Sequence, residues 1–493
     1  MILRSHLGRL SLLASALSAC LALPACDGDG GTSGSAAGGS GGTGGTGAST
    51  ATGGGPSGGH GGTGGTGAAG GSGGNAGSGG AAGGAGGQGA SGGSGGAGGA
   101  GGGSAVNPHP LYTALDLDDL PGNGGAVSGP YAPPTLPSTG STTTIQGTGN
   151  QAGNALLAAC QAGGASVTVP ASAGTISAVT LGGVDDCDVT LEPGVIIEYL
   201  IIGSLPGPML APSHRIRVRG GRIGSVYVAP QTTDVVLDGV IIDNGAVPSA
   251  TRQGTAIYLP ADMMTGIGAE RFAVVNSIIR MVATSPDGTG NTSGSAYLGD
   301  RARDVFFANN NVVTAGNLNS WGFRINGGDN TLLVDNSVRV SFHKLVRMNN
   351  YPVDYVYIKG GVWMREATPT AQGTLLNDSF AQLGGSTTDS VFIHDPVVYL
   401  LLDVPVSFGA AVAPEQVGSW EVRNIEWHAR SSTAVSEAHL TTLGSYCTIP
   451  AQCDYGVDTH TFDFDPGLTL PANPWRTLPT IPDSNPDNLP VLP

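Results

Sequence analysis

Lysine is almost absent from this chain of 493 residues, because Lys344 and Lys359 are its only two lysines. Lysine and arginine together number 20 against 36 acidic residues, which gives a formal net charge of −16. This balance argues against sequence-independent nucleic-acid binding, which needs a broad basic face. We therefore expect no nucleic-acid partner, and any local basic site must be built mainly from arginine.

Charge is also scarce in residues 27–104, which contain no lysine, arginine or glutamate and only two aspartates, Asp27 and Asp29. Glycine fills 42 of these 78 positions, without the G-X-Y register that a collagen helix requires. Such a segment cannot bury enough apolar surface to offset its ordering entropy, so we predict a disordered linker. The remaining residues, 105–493, are numerous enough for one large core or two ordinary domains.

Long apolar runs are confined to the N-terminus, where two arginines precede the apolar residues 10–25. This is the pattern of a secretory signal, and its end resembles a bacterial lipoprotein signal with a lipid-bearing cysteine. The resemblance implies a signal over 1–26 with Cys26, or else Cys20, as the lipidated residue. It implies an exported protein, lipid-anchored at the outer membrane or cell surface. An ordinary signal, and hence a secreted or periplasmic protein, is the alternative.

Four further cysteines are Cys160, Cys187, Cys447 and Cys453. An even number in an exported protein predicts disulfides, with three possible connectivities. We favour the pairs that are near in sequence, Cys160–Cys187 and Cys447–Cys453. No pair has C-x-x-C spacing, which argues against a zinc site and against thioredoxin-like chemistry.

A short pattern recurs through the second half of the chain: an alternating apolar strand, a small residue or Asn/Asp, another small residue, then Val or Ile. Successive copies lie 24 to 38 residues apart. Unequal repeats of this length, made of strands, predict a β-solenoid. Asparagine suits the repeated position because it tolerates a left-handed turn and can hydrogen-bond its equivalents on neighbouring coils. The aligned residues are Asp238, Asn276, Asn310, Asn336, Gly360, Asp395 and Asn424.

One short helix is predicted over 154–163, with Asn154 as its cap and Gly163 at its end, directly before an alternating strand at 166–170. This helix and the turn ladder resemble the right-handed parallel β-helix proteins of the pectate-lyase-like class over about 150–430. The resemblance implies an all-β right-handed parallel β-helix with a short N-terminal capping helix. It specifies activity poorly, because the class includes lyases, glycosidases, esterases, epimerases and surface proteins.

The segments outside the solenoid are predicted to be extended. Residues 105–149 form a lead-in, and residues 431–493 form a capping or extended tail with Trp475 as an anchor. A β-propeller or a sandwich is the alternative fold, but propeller blades need more regular spacing of four strands per repeat.

A second set of strands can carry chemistry. By strand alternation, Arg324 and Arg347 point outward on successive coils, and we place Tyr258 and Tyr297 on the same outward row. Two arginines about 4.8 Å apart repel each other unless an anion lies between them. Either an acid such as Asp329 or Glu366 folds over them, or the row awaits an anionic ligand. The inward residues of these strands are Phe323, Ile325, Val346 and Met348.

Tyrosine rings and forked arginine hydrogen bonds suit an acidic polysaccharide that lies along the solenoid. Trp321 and His343 complete the predicted binding set with Tyr258 and Tyr297. In a uronate lyase, a cation neutralises the substrate carboxylate while a base removes the proton from the adjacent carbon. Lyases of the resembled class include enzymes with a lysine or arginine base, which implies Lys344 as the base and Arg324 and Arg347 as neutralising groups.

Competing interpretations stay open. The row can be a surface row with local salt bridges, in a non-catalytic structural or adhesive cell-surface protein.

Glycosidase chemistry is disfavoured because the aligned acids Asp300 and Asp378 should lie about 14 Å apart, beyond the roughly 5–9.5 Å that it needs. A Ca²⁺ site in 285–291 has only one carboxylate, so no metal or other cofactor is assigned. We expect a monomer.

Overall fold

The computed structural model describes residues within one compact unit, 102–493. The described residues are Leu111, Leu120, 131–204, 211–247, 254–282, 293–315, 319–341, 344–349, 351–366, 379–384, 388–401, 417–436, 453–454 and 456–490. The signal sequence with Cys20 and Cys26, the glycine-rich linker, the 285–291 loop and Cys447 lie outside them. The predictions made for those segments stay predictions.

Among the described residues the chain forms an α-helix, α1 (Asn150–Gln161), and 26 strands. The strands are β1 (Ser141–Thr144), β2 (Ala165–Val169), β3 (Thr175–Leu181), β4 (Asp185–Ile202), β5 (His214–Val228), β6 (Thr233–Asp238), β7 (Ile241–Asp243), β8 (Thr255–Leu259), β9 (Glu270–Val275), β10 (Ile278–Val282), β11 (Ser293–Asp300), β12 (Arg303–Ala308), β13 (Asn311–Ala315), β14 (Asn319–Asn326), β15 (Thr331–Val334), β16 (Ser337–Val340), β17 (Lys344–Asn349), β18 (Val353–Lys359), β19 (Val362–Arg365), β20 (Ser379–Gly384), β21 (Thr388–His394), β22 (Val397–Leu400), β23 (Val417–Arg423), β24 (Glu426–Ala429), β25 (Cys453–Asp454) and β26 (Thr461–Phe464).

The strands stack in parallel, each on its equivalent from the preceding coil, as in a solenoid. The β6 stack contains β6, β9, β12, β15, β18, β21, β23 and β25. The β7 stack contains β7, β10, β13, β16, β19, β22, β24 and β26. The β8 stack contains β8, β11, β14, β17 and β20. The all-β solenoid predicted from the repeats is thereby confirmed at the level of a stacked parallel sheet.

A left-handed residue marks the corner between the β6 stack and the β7 stack on each coil. The column consists of Gly239, Asn276, Asn309, Asp335, Gly360, Asp395 and Asn424, with φ between 52° and 63°. Asn309 Nδ2 donates to Asn276 Oδ1 at 2.7 Å, and Asn424 Nδ2 donates to Asp395 Oδ1 at 3.0 Å. Both roles predicted for asparagine, the turn and the hydrogen bond between coils, are confirmed. Three members of the predicted ladder, Asp238, Asn310 and Asn336, are displaced from this column by one residue.

Two of the displaced residues, Asn310 and Asn336, form a second and fully buried ladder. Asn310 Oδ1 accepts from the Ser277 backbone N–H at 2.9 Å, and Asn310 Nδ2 donates to Val274 O at 2.9 Å. Asn336 Oδ1 accepts from the Asn310 backbone N–H at 3.1 Å. These amides bond backbone groups that the sharp corner removes from the strand ladders, so they fix the corner from inside.

The solenoid interior is apolar and rich in stacked aromatic rings. Phe307 lies 4.8 Å from Tyr297 and 5.1 Å from Phe323, measured between ring centroids. Trp363 continues the stack at 6.1 Å from Phe323. Tyr297 and Phe323 are register partners on the β8 stack, whereas Phe307 and Trp363 reach the interior from the β6 and β7 stacks, so rings from all three stacks meet in the core.

The helix α1 begins four residues earlier than predicted, so Asn154 lies within it and does not cap it. Gly149, in a left-handed conformation with φ 52°, precedes the first helical residue. The predicted disulfide Cys160–Cys187 is confirmed and joins α1 to β4. Cys453 begins β25, and the predicted pair Cys447–Cys453 stays a prediction.

The outer faces of the β6 and β7 stacks are covered by the lead-in and by the C-terminal tail. Tyr131 and Leu136 of the lead-in pack in one apolar cluster with Val236 and Phe306, on the outer face of the β6 stack. The C-terminal tail packs on the β7 stack, where Trp475 joins Val313 and Met364, and Leu478 and Ile481 join Ile278. The described outward residues of the β8 stack belong to none of these apolar clusters with the lead-in or the C-terminal tail.

Candidate functional site

The candidate site is the outward row of the β8 stack, which brings together several of the predicted residues. Arg324 and Arg347 are register partners on β14 and β17, as predicted. Tyr258 belongs to the same row, two coils before Arg324. Leu298 fills the coil between them.

The predicted position of Tyr297 is wrong. Tyr297 pairs in register with Phe323 and lies in the core with 1% of its surface exposed. The error has a physical cause: the predicted alignment matched Tyr297 with Tyr258, whereas the register matches Leu298 with Tyr258. Because side chains alternate along a strand, a slip of one residue moves a side chain to the opposite face.

A local irregularity explains why simple alternation misplaces part of this row. On β14, the consecutive residues Gly322 and Phe323 both face the interior, where a Cβ at Gly322 would meet Leu345 O and Val338. The strand therefore turns a corner at this point. Trp321 on one side of the corner and Arg324 on the other consequently share the outer face. The predicted inward set of Phe323, Ile325, Val346 and Met348 is confirmed.

Both arginines lie close to the ring of Trp321. The Cζ atoms of Arg324 and Arg347 are each 5.1 Å from the centroid of the Trp321 ring. This distance is within the range of cation–π attraction, which offsets part of the repulsion between the two guanidinium groups. All three side chains are buried, with 4% of Arg324 and 9% of Arg347 exposed.

A chain of hydrogen bonds extends from this pair along the row. Arg324 Nε donates to Asn326 Oδ1 at 3.3 Å, and Asn326 Nδ2 donates to Asp300 Oδ1 at 2.7 Å. The Tyr258 hydroxyl donates to the other Asp300 oxygen at 3.1 Å. Asp300 is thus the carboxylate of the site, although sequence alignment considered it only as a poorly placed glycosidase acid.

Burial changes the pKa values of Asp300 and Tyr258 in this series of hydrogen bonds. It raises the pKa of Asp300 above the ordinary 3.8, although hydrogen bonds from Asn326 and Tyr258 and the Arg324 charge oppose the shift. Burial, with the nearby Asp300 charge, also raises the pKa of Tyr258. The Tyr258 hydroxyl therefore stays protonated near neutral pH and serves as a donor.

The acids predicted to fold over the arginine pair bind other arginines. Asp329 Oδ2 lies 2.6 Å from Arg303 Nε. Glu366 accepts from the Ser341 hydroxyl at 2.6 Å and lies 3.5 Å from Arg339 Nε. The prediction for these two acids is wrong because each pairs with an arginine outside the row, whereas Asp300 reaches the row from the preceding coil.

Lys344 begins β17 and is the register partner of Trp321, so its backbone is on the row. Its side chain, and the whole of His343 and Asp378, lie outside the described residues. The sequence analysis missed Leu298, Asp300 and Asn326 as members of the row. A consistent alignment of Leu298-Gly299-Asp300 with Arg324-Ile325-Asn326 would have found them.

Within the described part of the chain, no group of three or more His, Cys, Asp or Glu residues is arranged to hold a metal ion. None of the helices described here is both long enough and apolar enough to cross a membrane. No family model, curated protein or solved structure matches this chain.

Proposed function

We propose that this protein is a right-handed parallel β-helix, capped at its N-terminal end by α1, that binds an acidic polysaccharide along the β8 stack. The observation that carries the proposal is the in-register pair Arg324 and Arg347, both within cation–π distance of Trp321. A guanidinium group forms paired hydrogen bonds with a carboxylate, and an indole ring offers a flat apolar face to a sugar.

The spacing of the row supports a polymeric ligand. Tyr258, Leu298, Arg324 and Arg347 occupy four consecutive coils in register, at about 4.8 Å per coil. Tyr258, Leu298 and Asp300 are partly exposed, whereas both arginines are buried. The proposal therefore requires the ligand to enter from the Tyr258 end and the two arginines to become more exposed when it binds.

Cleavage by β-elimination is the chemistry proposed for this ligand. Arg324 and Arg347 would neutralise the uronate carboxylate, which acidifies the proton on the adjacent carbon, and Lys344 would remove that proton. The electron pair then forms the carbon–carbon double bond, and the glycosidic oxygen leaves with the electrons of its broken bond to carbon and takes up a proton from water to become the alcohol. The proposal includes export and attachment to a membrane through a lipid on Cys26 or Cys20.

Binding is tested by isothermal titration of the full chain with polymers of galacturonate, mannuronate and guluronate. Arg324→Gln and Arg347→Gln should each weaken binding of the preferred polymer by about tenfold or more, since each loses a forked bond to a carboxylate. Arg303→Gln is the matched control, because it removes the same charge from a half-exposed arginine outside the row. If all three variants lose affinity equally, the effect comes from net charge and not from the row.

Catalysis is tested separately through the ultraviolet absorbance of unsaturated uronate products. Lys344→Gln should abolish product formation while the polymer still binds with unchanged affinity. Binding without product in the unsubstituted protein would remove the lyase and leave a carbohydrate-binding surface protein. Absence of binding to every uronate polymer would remove both, in favour of a structural or adhesive role.

A further inference from the structure

A second left-handed column runs along the solenoid, at the corner that opens the β6 stack. Its members alternate in charge over five coils: Asp186, Arg215, Asp234, Arg271 and Asp304, with φ between 52° and 61°. Left-handed arginine is energetically unfavourable, so each arginine needs compensation. Arg215 and Arg271 obtain it from forked bonds to Asp186 and Asp234, at 2.7 and 2.9 Å in both cases.

The carboxylates of this column also bind the backbone of the lead-in. The Ala132 N–H donates to Asp304 Oδ1 at 3.2 Å, and the Thr135 N–H donates to Asp234 Oδ1 at 2.9 Å. The Ser138 N–H donates to Asp186 Oδ1 at 3.1 Å. Residues 131–138, named here the strap, therefore cross the coils with one hydrogen bond at every third residue.

The spacing of the aspartates along the column matches the spacing of the N–H donors along an extended strap. The aspartates lie on alternate coils, so successive acceptors are about 9.6 Å apart at a strand spacing of about 4.8 Å. Three residues of a polyproline II helix rise about 9.3 Å, and that helix has three residues per turn. An extended segment of this kind thus presents an N–H to every aspartate without stretching or slipping.

The strap sequence fits this geometry residue by residue. The donors are Ala132, Thr135 and Ser138, and prolines fill three of the four positions between them. Proline has no N–H to satisfy, and it restricts both its own φ and the preceding residue to extended conformations. Tyr131 and Leu136 are buried beside the column, against the outer face of the β6 stack. Little conformational entropy remains to be lost when such a segment binds.

We propose that the aspartate column and the apolar face beside it form a recognition site for proline-rich peptides in the polyproline II conformation. The strap is the occupant that the chain supplies to itself. A peptide supplied in trans with the same pattern, an N–H at every third residue and proline between, binds the same site when the strap is weakened. This inference is independent of the polysaccharide row.

The test uses a fluorescent peptide with the sequence of residues 129–140 and full-length protein, measured by fluorescence anisotropy. In the chain, Ala132→Pro with Thr135→Pro removes two strap donors and leaves every aspartate in place. This double variant should bind the peptide at least tenfold more tightly than the unsubstituted protein does, because its own strap competes less. The single variant Thr135→Pro should give an intermediate gain, and it serves alone if the double variant does not fold.

Two substituted peptides show whether the column is the site. A peptide with Thr135→Pro loses the donor to Asp234 and should bind at least tenfold more weakly to the same variant protein. A peptide with Thr139→Pro, changed just beyond the last donor, should bind like the original. The proposal is overturned if weakening the strap does not improve binding, or if the two substituted peptides bind equally.

Discussion

Asn310 shows how one side chain can hold a corner of the solenoid. It is fully buried, and its amide bonds the Ser277 N–H, Val274 O and Asn336 Oδ1. Asn310→Ala should lower the free energy of unfolding by about 3 kcal/mol, because a backbone donor and a backbone acceptor lose their partners in the interior. Urea unfolding followed by circular dichroism measures the change.

The neighbouring residue provides the control. Asn309 has φ 54°, a conformation that glycine adopts freely. Asn309→Gly should therefore cost less than about 1 kcal/mol, through the loss of its bond to Asn276. If the two variants lose equal stability, the buried ladder has no special role.

Single-residue register is where the sequence predicts least well. Two consecutive asparagines at 309 and 310 satisfy the same repeat pattern, and only the structure separates the left-handed one from the buried one. Tyr297 and Leu298 are ambiguous for the same reason. Both side chains are largely apolar, so residue type does not show which of them faces outward. The corner in the strand decides it.

At the scale of elements, the disulfide between α1 and β4 stabilises the first coil. It closes a loop between residues 27 positions apart. Replacing Cys160 and Cys187 together by alanine should lower the free energy of unfolding by about 3 kcal/mol, since a loop of this length gains that much entropy in the unfolded chain. Thermal unfolding with and without reductant is the measurement. Reductant should lower the melting temperature of the unsubstituted protein by more than that of the alanine variant, which keeps Cys447 and Cys453.

Attachment of the strap should depend on pH through Asp234. Burial raises the pKa of this carboxyl, but hydrogen bonds from Arg271, Thr135 and Thr233 outweigh it and hold the pKa below the ordinary 3.8. A folded pKa below the unfolded one stabilises the protein above about pH 4, and this contribution is lost as pH falls through the folded pKa.

The stability difference between the unsubstituted protein and Asp234→Asn should therefore be full near neutral pH and shrink steadily below about pH 4. Urea unfolding at a series of pH values measures it. A difference that stays constant down to the acid limit would show that the ionised carboxylate is not what holds this corner.

Strand alternation and turn residues were enough to predict the stacked coils and the pairing of Arg324 with Arg347, and nearness in sequence was enough to predict the disulfide Cys160–Cys187. They did not predict the column under the strap, because its members are a mixture of aspartate and arginine with no shared residue type. Its regularity lies in backbone conformation and alternating charge. Asp300 was misjudged for a related reason, since its role comes from coils before and after it.

For the molecule as a whole, the C-terminal tail acts as a cover over the β7 stack, and Trp475 anchors it. The ring packs with Val313 and Met364, and Arg339 Cζ lies 5.1 Å from its centroid. Trp475→Ala removes these contacts and should cost about 3–5 kcal/mol of local stability. Limited proteolysis should then cleave the 468–490 segment before any coil. Phe464→Ala is the control, because that side chain is already 42% exposed and its loss should leave cleavage unchanged.

Corners of this solenoid differ in the freedom they leave to chain length. Two residues join a strand of the β6 stack to the next strand of the β7 stack on seven successive coils, from Gly239-Val240 to Asn424-Ile425. From the β7 stack to the β8 stack, the connections instead span 244–254, 283–292, 316–318, 341–343 and 366–378. The corner of constant length keeps neighbouring coils aligned, whatever the length of the connection from the β7 stack to the β8 stack. A foreign loop grafted at 316–318 would lengthen a variable connection and leave the corner of constant length unchanged, which makes the molecule a scaffold for inserted loops.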